Sequence, residues 1–137
     1  MDVVTLSSAD ADAAVALWEA CGLVRPWNDA GADFARALAG PASTVLGVFA
    51  SSRLVGTVMV GGDGHRGWVY YLASDPKRRG EGLGRTLMEA AERWLVSHGL
   101  PKIQFMVRGT NTAVLGFYEH LGYEAQDVVV LGRRLDD

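Results

Sequence analysis

Two periods organise the apolar positions of this chain. Between Ser7 and Cys21 they recur at three and four residues, so that Ala13 or Ala14, Leu17, Trp18 and Cys21 share one helical face. Ser7 or Ser8 supplies the N-cap, acidic residues fill the first turn and Gly22 supplies the stop. Ahead of this helix "VVTL", Val3 to Leu6, reads as a short strand. Pro26, Asn28, Asp29 and Gly31 then break the pattern before a second short helix carrying Phe34 and Leu38.

From Ser43 the period becomes two. "STVLGVFA" and "LVGTVMVGG" are β-branched runs joined by Ser51, Ser52 and Arg53, the spacing of a hairpin, and "DGHRG" makes the next turn. "WVYYLAS", Trp68 to Ser74, is a third strand closed by Asp75 and Pro76. Within it Tyr70 and Tyr71 alternate, one toward the core and one toward a cleft. Leu83, Leu87, Ala91, Trp94 and Leu95 then mark a helix over Leu83 to Ser97, stopped by Gly99 and Pro101. "KIQFMVR" alternates again, with Ile103, Phe105 and Val107 on one face. A Gly-Thr-Asn-Thr turn leads into the helix "AVLGFYEHLG", with Gly122 as its C′ residue, and "VVVLGRRL" reads as a last strand. The order is β-α-α-β-β-β-α-β-α-β, a mixed α/β layer.

Composition narrows the class. A chain of 137 residues is the length of one ordinary domain, and 49% hydrophobic with 21% charged residues is globular rather than disordered. No apolar run approaches the roughly 20 residues needed to span a bilayer, and the N-terminus opens acidic where a secretory signal would be basic. A cytoplasmic protein with no membrane partner is expected. The single cysteine, Cys21, has no internal disulfide partner and sits on the apolar stripe of the first helix, where a buried structural thiol is expected.

A net charge of −3 argues against general nucleic-acid binding. The charge is uneven, however: Lys77, Arg78, Arg79 and Arg85 fall close together, while acidic residues dominate the start of the chain. A local positive site on an acidic protein fits a small anionic ligand better than a polyanion.

That basic cluster surrounds Gly80-Glu81-Gly82-Leu83-Gly84. A nucleotide P-loop needs Gly-Lys-Ser/Thr at its end, which is missing, and the every-second-residue glycine spacing does not fit the dinucleotide fingerprint. What remains is R-G-x-G-x-G from Arg79, directly after a strand and before a helix. Without Cβ atoms, backbone N–H groups approach an anion closely, and those of the first helical turn point at it. Glycines at a helix start cost about 1 kcal/mol each against alanine, so three together call for a reason. The bland alternative is a flexible loop with Gly84 easing helix-to-sheet packing and solvated arginines.

Downstream, Asn111 and Tyr118 bracket the first turns of the next helix. Together, "RRGEGLGRTLMEAAERWL" and "NTAVLGFYEHLGYE" resemble the two hallmark segments of the GNAT superfamily of acetyl-CoA-dependent N-acetyltransferases, and the element order is similar over nearly the whole chain. "LVRPWND" and "GTVMVGGDGHRG" further look like a bacterial YpeA-type branch. The resemblance implies an α/β (α+β) single-domain fold over residues 1–137, with a mixed central sheet and helices on both faces. It also implies an enzyme that moves an acetyl group from acetyl-CoA to a primary amine of a small molecule, peptide or protein. Acetyl-CoA would be the cosubstrate, with no metal. A module that binds CoA as a sensor without turnover is the alternative.

Residue by residue, the resemblance assigns the CoA pyrophosphate to Arg79, Gly80, Gly82 and Gly84, with backbone from Glu81 and Leu83. Leu72, Ala73 and Ser74 would present backbone groups, at a bulge, to the pantetheine arm and the thioester carbonyl, one N–H serving the oxyanion. Asn111 would contact the cofactor, although asparagine is also a good N-cap. Tyr118 matches the position of the acid that helps the thiolate leave, either as proton donor or by a hydrogen bond to sulfur. An alkyl amine, with a pKa near ~10.4, must lose a proton before attack. Asp29, Asp63, His65 and Glu19 are candidate bases. "RPWND" offers Trp27 as a pocket wall and Asn28 or Asp29 for a cationic amine, or else a structural turn; "DGHRG" has the same ambiguity. His65, His98 and His120 lack metal-ligand spacing. A monomer or homodimer is expected, the last strand being free to pair with a partner.

Overall fold

The computed structural model describes residues 2–136. They fall into two compact units, one ending at Met106 and one beginning at Val107.

The first unit holds a five-stranded sheet in the order β1-β2-β3-β4-β5. Its strands are β1 (Val3–Thr5), β2 (Ser43–Ala50), β3 (Arg53–Gly62), β4 (Gly67–Ser74) and β5 (Ile103–Gln104). The first four pair antiparallel, β2–β3 and β3–β4 through tight turns and β1 with β2 across the intervening helices; β5 returns parallel to β4 after the crossover helix α3 (Leu83–Ser97). Two further helices, α1 (Ala11–Ala20) and α2 (Ala30–Ala39), lie between β1 and β2 in sequence. The fold is α+β with a mixed sheet, as expected.

Consecutive residues of β3 show that the helices cover opposite faces. Thr57 meets Trp18 of α1 through a hydrogen bond, whereas a Cβ on Gly56 would come within 2.9 Å of Leu87 on α3. Neighbouring residues of a strand point to opposite faces, so α1 packs on one and α3 on the other. On the α1 face, Leu6, Ala14, Leu17, Trp18, Phe34 and Val45 form the core with α2. On α3, Leu83, Leu87, Met88, Ala91 and Leu95 are buried, the stripe seen in the sequence.

The helix starts follow local rules. A 3₁₀ turn over Ser8–Asp10 precedes α1, with Asp10 Oδ2 accepting from the Ser7 N–H at 2.8 Å. Asp29 caps α2 by accepting from Ala32 N at 3.0 Å. Gly22 and Gly99 take positive φ where α1 and α3 stop.

The second unit contains α4 (Thr112–His120), capped by the Asn111 side chain, which accepts from Val114 N at 3.3 Å. Gly122 follows with φ +96°.

Two strand expectations need correction. The run from Lys102 to Arg108 is a strand only over Ile103–Gln104, and "VVVLGRRL" forms none: residues 128–135 are exposed and outside any ladder. β-branched composition favours an extended chain, but a strand exists only where a neighbour takes its N–H and C=O groups.

Candidate active site

The end of β4 and the loop that follows it supply the chemistry of the first unit. β3 and β4 slip register: Thr57 pairs with Ala73 and Met59 with Tyr70, so Tyr71 and Leu72 together oppose Val58. This is a β-bulge at Tyr71 and Leu72, directly ahead of Ala73 and Ser74, which rejoin the ladder opposite Thr57 and Gly56. Tyr71 takes φ +52°, a left-handed conformation that is an outlier for a bulky residue and costs of order 1–3 kcal/mol.

Three contacts hold Tyr71 there. Its ring stacks on Trp18 with centroids 3.8 Å apart and planes at 12°. Its carbonyl accepts from Thr57 Oγ1 at 3.0 Å, and that hydroxyl accepts from Trp18 Nε1 at 2.8 Å. Its phenol donates to Asp33 Oδ2 at 2.8 Å, and Asp33 in turn pairs with Arg36. Burial and the Asp33 carboxylate push the Tyr71 phenol well above its ordinary range, so it keeps its proton and stays a donor. Tyr70 is the more exposed of the two.

Beyond the bulge, buried Asp75 ties down the start of the glycine loop. Its Oδ1 accepts from Lys77 N at 2.9 Å, its Oδ2 pairs with Arg53 at 3.2 Å, and its own N–H donates to Val55 O at 2.8 Å. Asp75 thereby starts the 3₁₀ turn Pro76–Arg78 and fastens it to β3. Cys21 contributes from α1: its thiol donates to the Ser74 carbonyl at 3.2 Å, and burial raises its pKa. It is half-buried rather than fully buried, and acts as a hydrogen-bonded structural thiol.

Gly80 and Gly82 both take positive φ, +87° and +76°, and a Cβ on either would meet nothing within 4 Å. Backbone conformation, not crowding, demands glycine there, and the outer side of the loop is open. Gly82 is the N-cap of α3 and offers no side-chain acceptor; the first helical bond runs from Thr86 N to Gly82 O at 3.0 Å. The N–H groups of Leu83, Gly84 and Arg85 are therefore left without helical partners, at a helix end carrying about half a positive charge. Leu83 anchors this turn by burying its side chain. Among the basic residues, Arg78 is paired with Glu81 at 3.2 Å, whereas exposed Arg79 makes no ion pair among the described residues. Open glycines, free helical N–H groups and an unpaired arginine together fit a phosphate-bearing group.

The other candidates serve their own turns. Trp27 is exposed on the loop between α1 and α2, where Asn28 N donates to Arg25 O at 3.1 Å and Asp29 is the cap already described. Asp63 accepts from His65 N, Arg66 N and Trp68 Nε1, at 2.8, 2.7 and 3.1 Å. These bonds, the backbone ones first, lower its pKa to about 2. A carboxylate so acidic holds no proton in neutral solution; it anchors the turn and is a poor base. His65 is exposed on the same turn.

In the second unit, Tyr118 of α4 is half-buried, edge-on to Phe117 and Tyr123 with ring centroids 5.1 and 6.1 Å away. Burial pushes its pKa up to about 12.

The Tyr71 clamp and the Asp75 anchor were not foreseen. Asp-Pro after a strand signals the second, since such an aspartate caps the turn that follows. A lone hydroxyl inside "LVGTVMV" hints at the first, because a buried Thr57 needs a polar partner.

Comparison with known proteins agrees with this architecture. The acetyltransferase (GNAT) family profile matches residues 12–123. Acetyltransferase YE1169 of Yersinia enterocolitica is 43% identical over 135 residues, which cover 98% of this chain and 96% of that protein. Among solved structures, a putative acetyltransferase from Agrobacterium tumefaciens superposes with a TM-score of 0.82 at 22% identity, covering 98% and 100% of the two chains. The structure of AAC(6′)-Iy in complex with the bisubstrate analogue CoA-S-monomethyl-acetylneamine gives 0.83 at 17% identity, covering 97% of each chain. These two likenesses concern the fold. The chain belongs to the GNAT family and is an acetyltransferase.

Proposed function

We propose that this protein transfers the acetyl group of acetyl-CoA to a primary amine by direct attack on the thioester, acting as one domain over residues 1–137. The family match over residues 12–123 takes in parts of both units, and the Yersinia enterocolitica relative aligns over 135 residues, which supports that extent. The observation that carries the reading is the α3 start: two positive-φ glycines with open space beside them, ahead of helical N–H groups that lack partners.

Acetyl-CoA supplies an acyl group already activated as a thioester. The chain's part is to bind, orient and manage protons. Gly80, Gly82, Gly84 and the backbone of Glu81 and Leu83, with the Arg79 guanidinium, hold the pyrophosphate. The backbone of Leu72 at the bulge, with Ala73 and Ser74 after it, receives the pantetheine arm and stabilises negative charge on the carbonyl oxygen. Asn111 is assigned a cofactor contact by its motif, beside its service as the α4 cap.

Tyr118 is assigned to the departing sulfur. A phenol near 12 stays protonated at neutral pH but is a weaker acid than a thiol, whose ordinary pKa is about 8.5. Full proton transfer to the thiolate is therefore uphill, and a hydrogen bond that strengthens as charge builds on sulfur is the role its chemistry favours. Trp27, Asn28, Asp29, Asp63 and His65 border the acceptor, Asp29 and Asp63 attracting a cationic amine while anchoring their turns.

Release of free thiol from acetyl-CoA across a panel of primary amines tests the reading. Acceptor-dependent release supports it; tight CoA binding with no release under any amine would instead favour a sensor.

A further inference from the structure

The shape of the β4 end depends on a residue that no motif contains. A tyrosine that only filled the core would need no left-handed backbone, yet Tyr71 has φ +52° and is gripped at three different atoms by three elements. Trp18 of α1 holds the ring, Thr57 of β3 holds the carbonyl, and Asp33 of α2 holds the phenol. The relay has a fixed direction: because Thr57 Oγ1 accepts from the Trp18 indole, its own proton is committed to the Tyr71 carbonyl.

That bond orients more than one atom. No peptide bond among the described residues is cis, so the peptide joining Tyr71 to Leu72 is trans and planar, with its C=O and N–H pointing in opposite directions. Fixing the Tyr71 carbonyl toward Thr57 therefore fixes the Leu72 N–H away from the buried network. We propose that Tyr71 is a positioning residue for acyl transfer: the clamp of Trp18, Thr57 and Asp33 on it sets the bulge, and through the shared peptide plane aims the Leu72 amide that stabilises charge on the thioester oxygen. The inference rests on the acyl-transfer reading of that strand end.

Tyr71→Phe keeps the ring on Trp18 and removes the phenol's bond; Asp33→Ala removes the same bond from the other side. Each lowers kcat about tenfold, as a small misplacement of a catalytic group does, with KM for acetyl-CoA and CoA affinity within about twofold of wild type. The double variant loses no more than either single one, because both remove one interaction. Asp33→Asn, which still accepts from the phenol, restores most of the rate. In the ligand-free protein the Leu72 amide resonance moves in Tyr71→Phe and Asp33→Ala and returns in Asp33→Asn. Wild-type kcat in both single variants, or a fall in CoA affinity matching the fall in rate, overturns the proposal. A wild-type protein that releases no thiol with any amine while its Leu72 resonance still responds points instead to failure of the acyl-transfer reading, and removes the transfer that Tyr71 would serve.

Discussion

The indole N–H of Trp18 donates to the hydroxyl of Thr57 at 2.8 Å, and both residues are wholly buried. It is a polar contact inside an apolar layer, and the Thr57 hydroxyl is satisfied both ways because it in turn donates a hydrogen bond to the Tyr71 carbonyl. Thr57→Val keeps the shape and strands a buried donor and a buried acceptor. Urea unfolding should show a loss of about 1–3 kcal/mol, the cost of leaving such groups unpaired. Thr57→Ser, which retains the hydroxyl, should lose markedly less.

The glycine loop makes a prediction about strain. At Gly80 and Gly82 an alanine Cβ touches nothing, so any destabilisation is conformational. Each alanine variant should lose about 1–2 kcal/mol of stability in a denaturant melt, the penalty for an L-residue in left-handed backbone. Alanine at Gly109, where nothing lies within 4 Å and φ is not positive, should be close to neutral.

Tyr118→Phe removes a donor without changing the ring. Turnover should fall by about 10²-fold while CoA affinity stays within a few-fold, since the group acts on charge that develops in the transition state. With the phenol near 12, no falling limb in the wild-type rate between pH 8 and about 10 should belong to Tyr118. A limb in that range that vanishes in the phenylalanine variant contradicts the assignment.

Asp63 gives a pH prediction with a definite sign. Its folded pKa lies near 2, below the 3.8 of the free group, so its contribution to stability is fully present above about pH 4 and is lost as pH falls through 2. A carboxyl titration followed by NMR should place its midpoint near 2. In Asp63→Asn the acid unfolding curve should lose that component, leaving stability less pH-dependent between 4 and 2.

How much of this was legible in the sequence depends on the range of the interactions. Helix α3 was readable at both ends because Leu83, Leu87, Ala91 and Leu95 form one stripe and Gly99 stops it, all local signals. The glycine loop was legible for the same reason: positive φ at Gly80 and Gly82 is a property of those residues alone. The Tyr71 clamp was not, since Trp18 and Thr57 are 39 residues apart and Asp33 and Tyr71 are 38 apart. Only the packing of α1 and α2 on the sheet brings them together. The run from Val128 to Leu135 misled for the opposite reason: its side chains favour a strand, but the pairing that makes one is not encoded in the run itself. Asp29, Asp63 and Asn111 were read as either ligand contacts or turn anchors, and the anchoring hydrogen bonds are present at all three.

Titration calorimetry of CoA into the wild type and Gly82→Trp tests the central claim most directly. Because a Cβ at Gly82 meets nothing within 4 Å, the cost to the fold is the left-handed backbone penalty given above, and the indole should obstruct a ligand at the α3 start. Saturable CoA binding in the wild type, unmatched by ATP, and its loss in a Gly82→Trp protein that still melts cooperatively is the predicted result. Equal CoA affinity in the two proteins would contradict it.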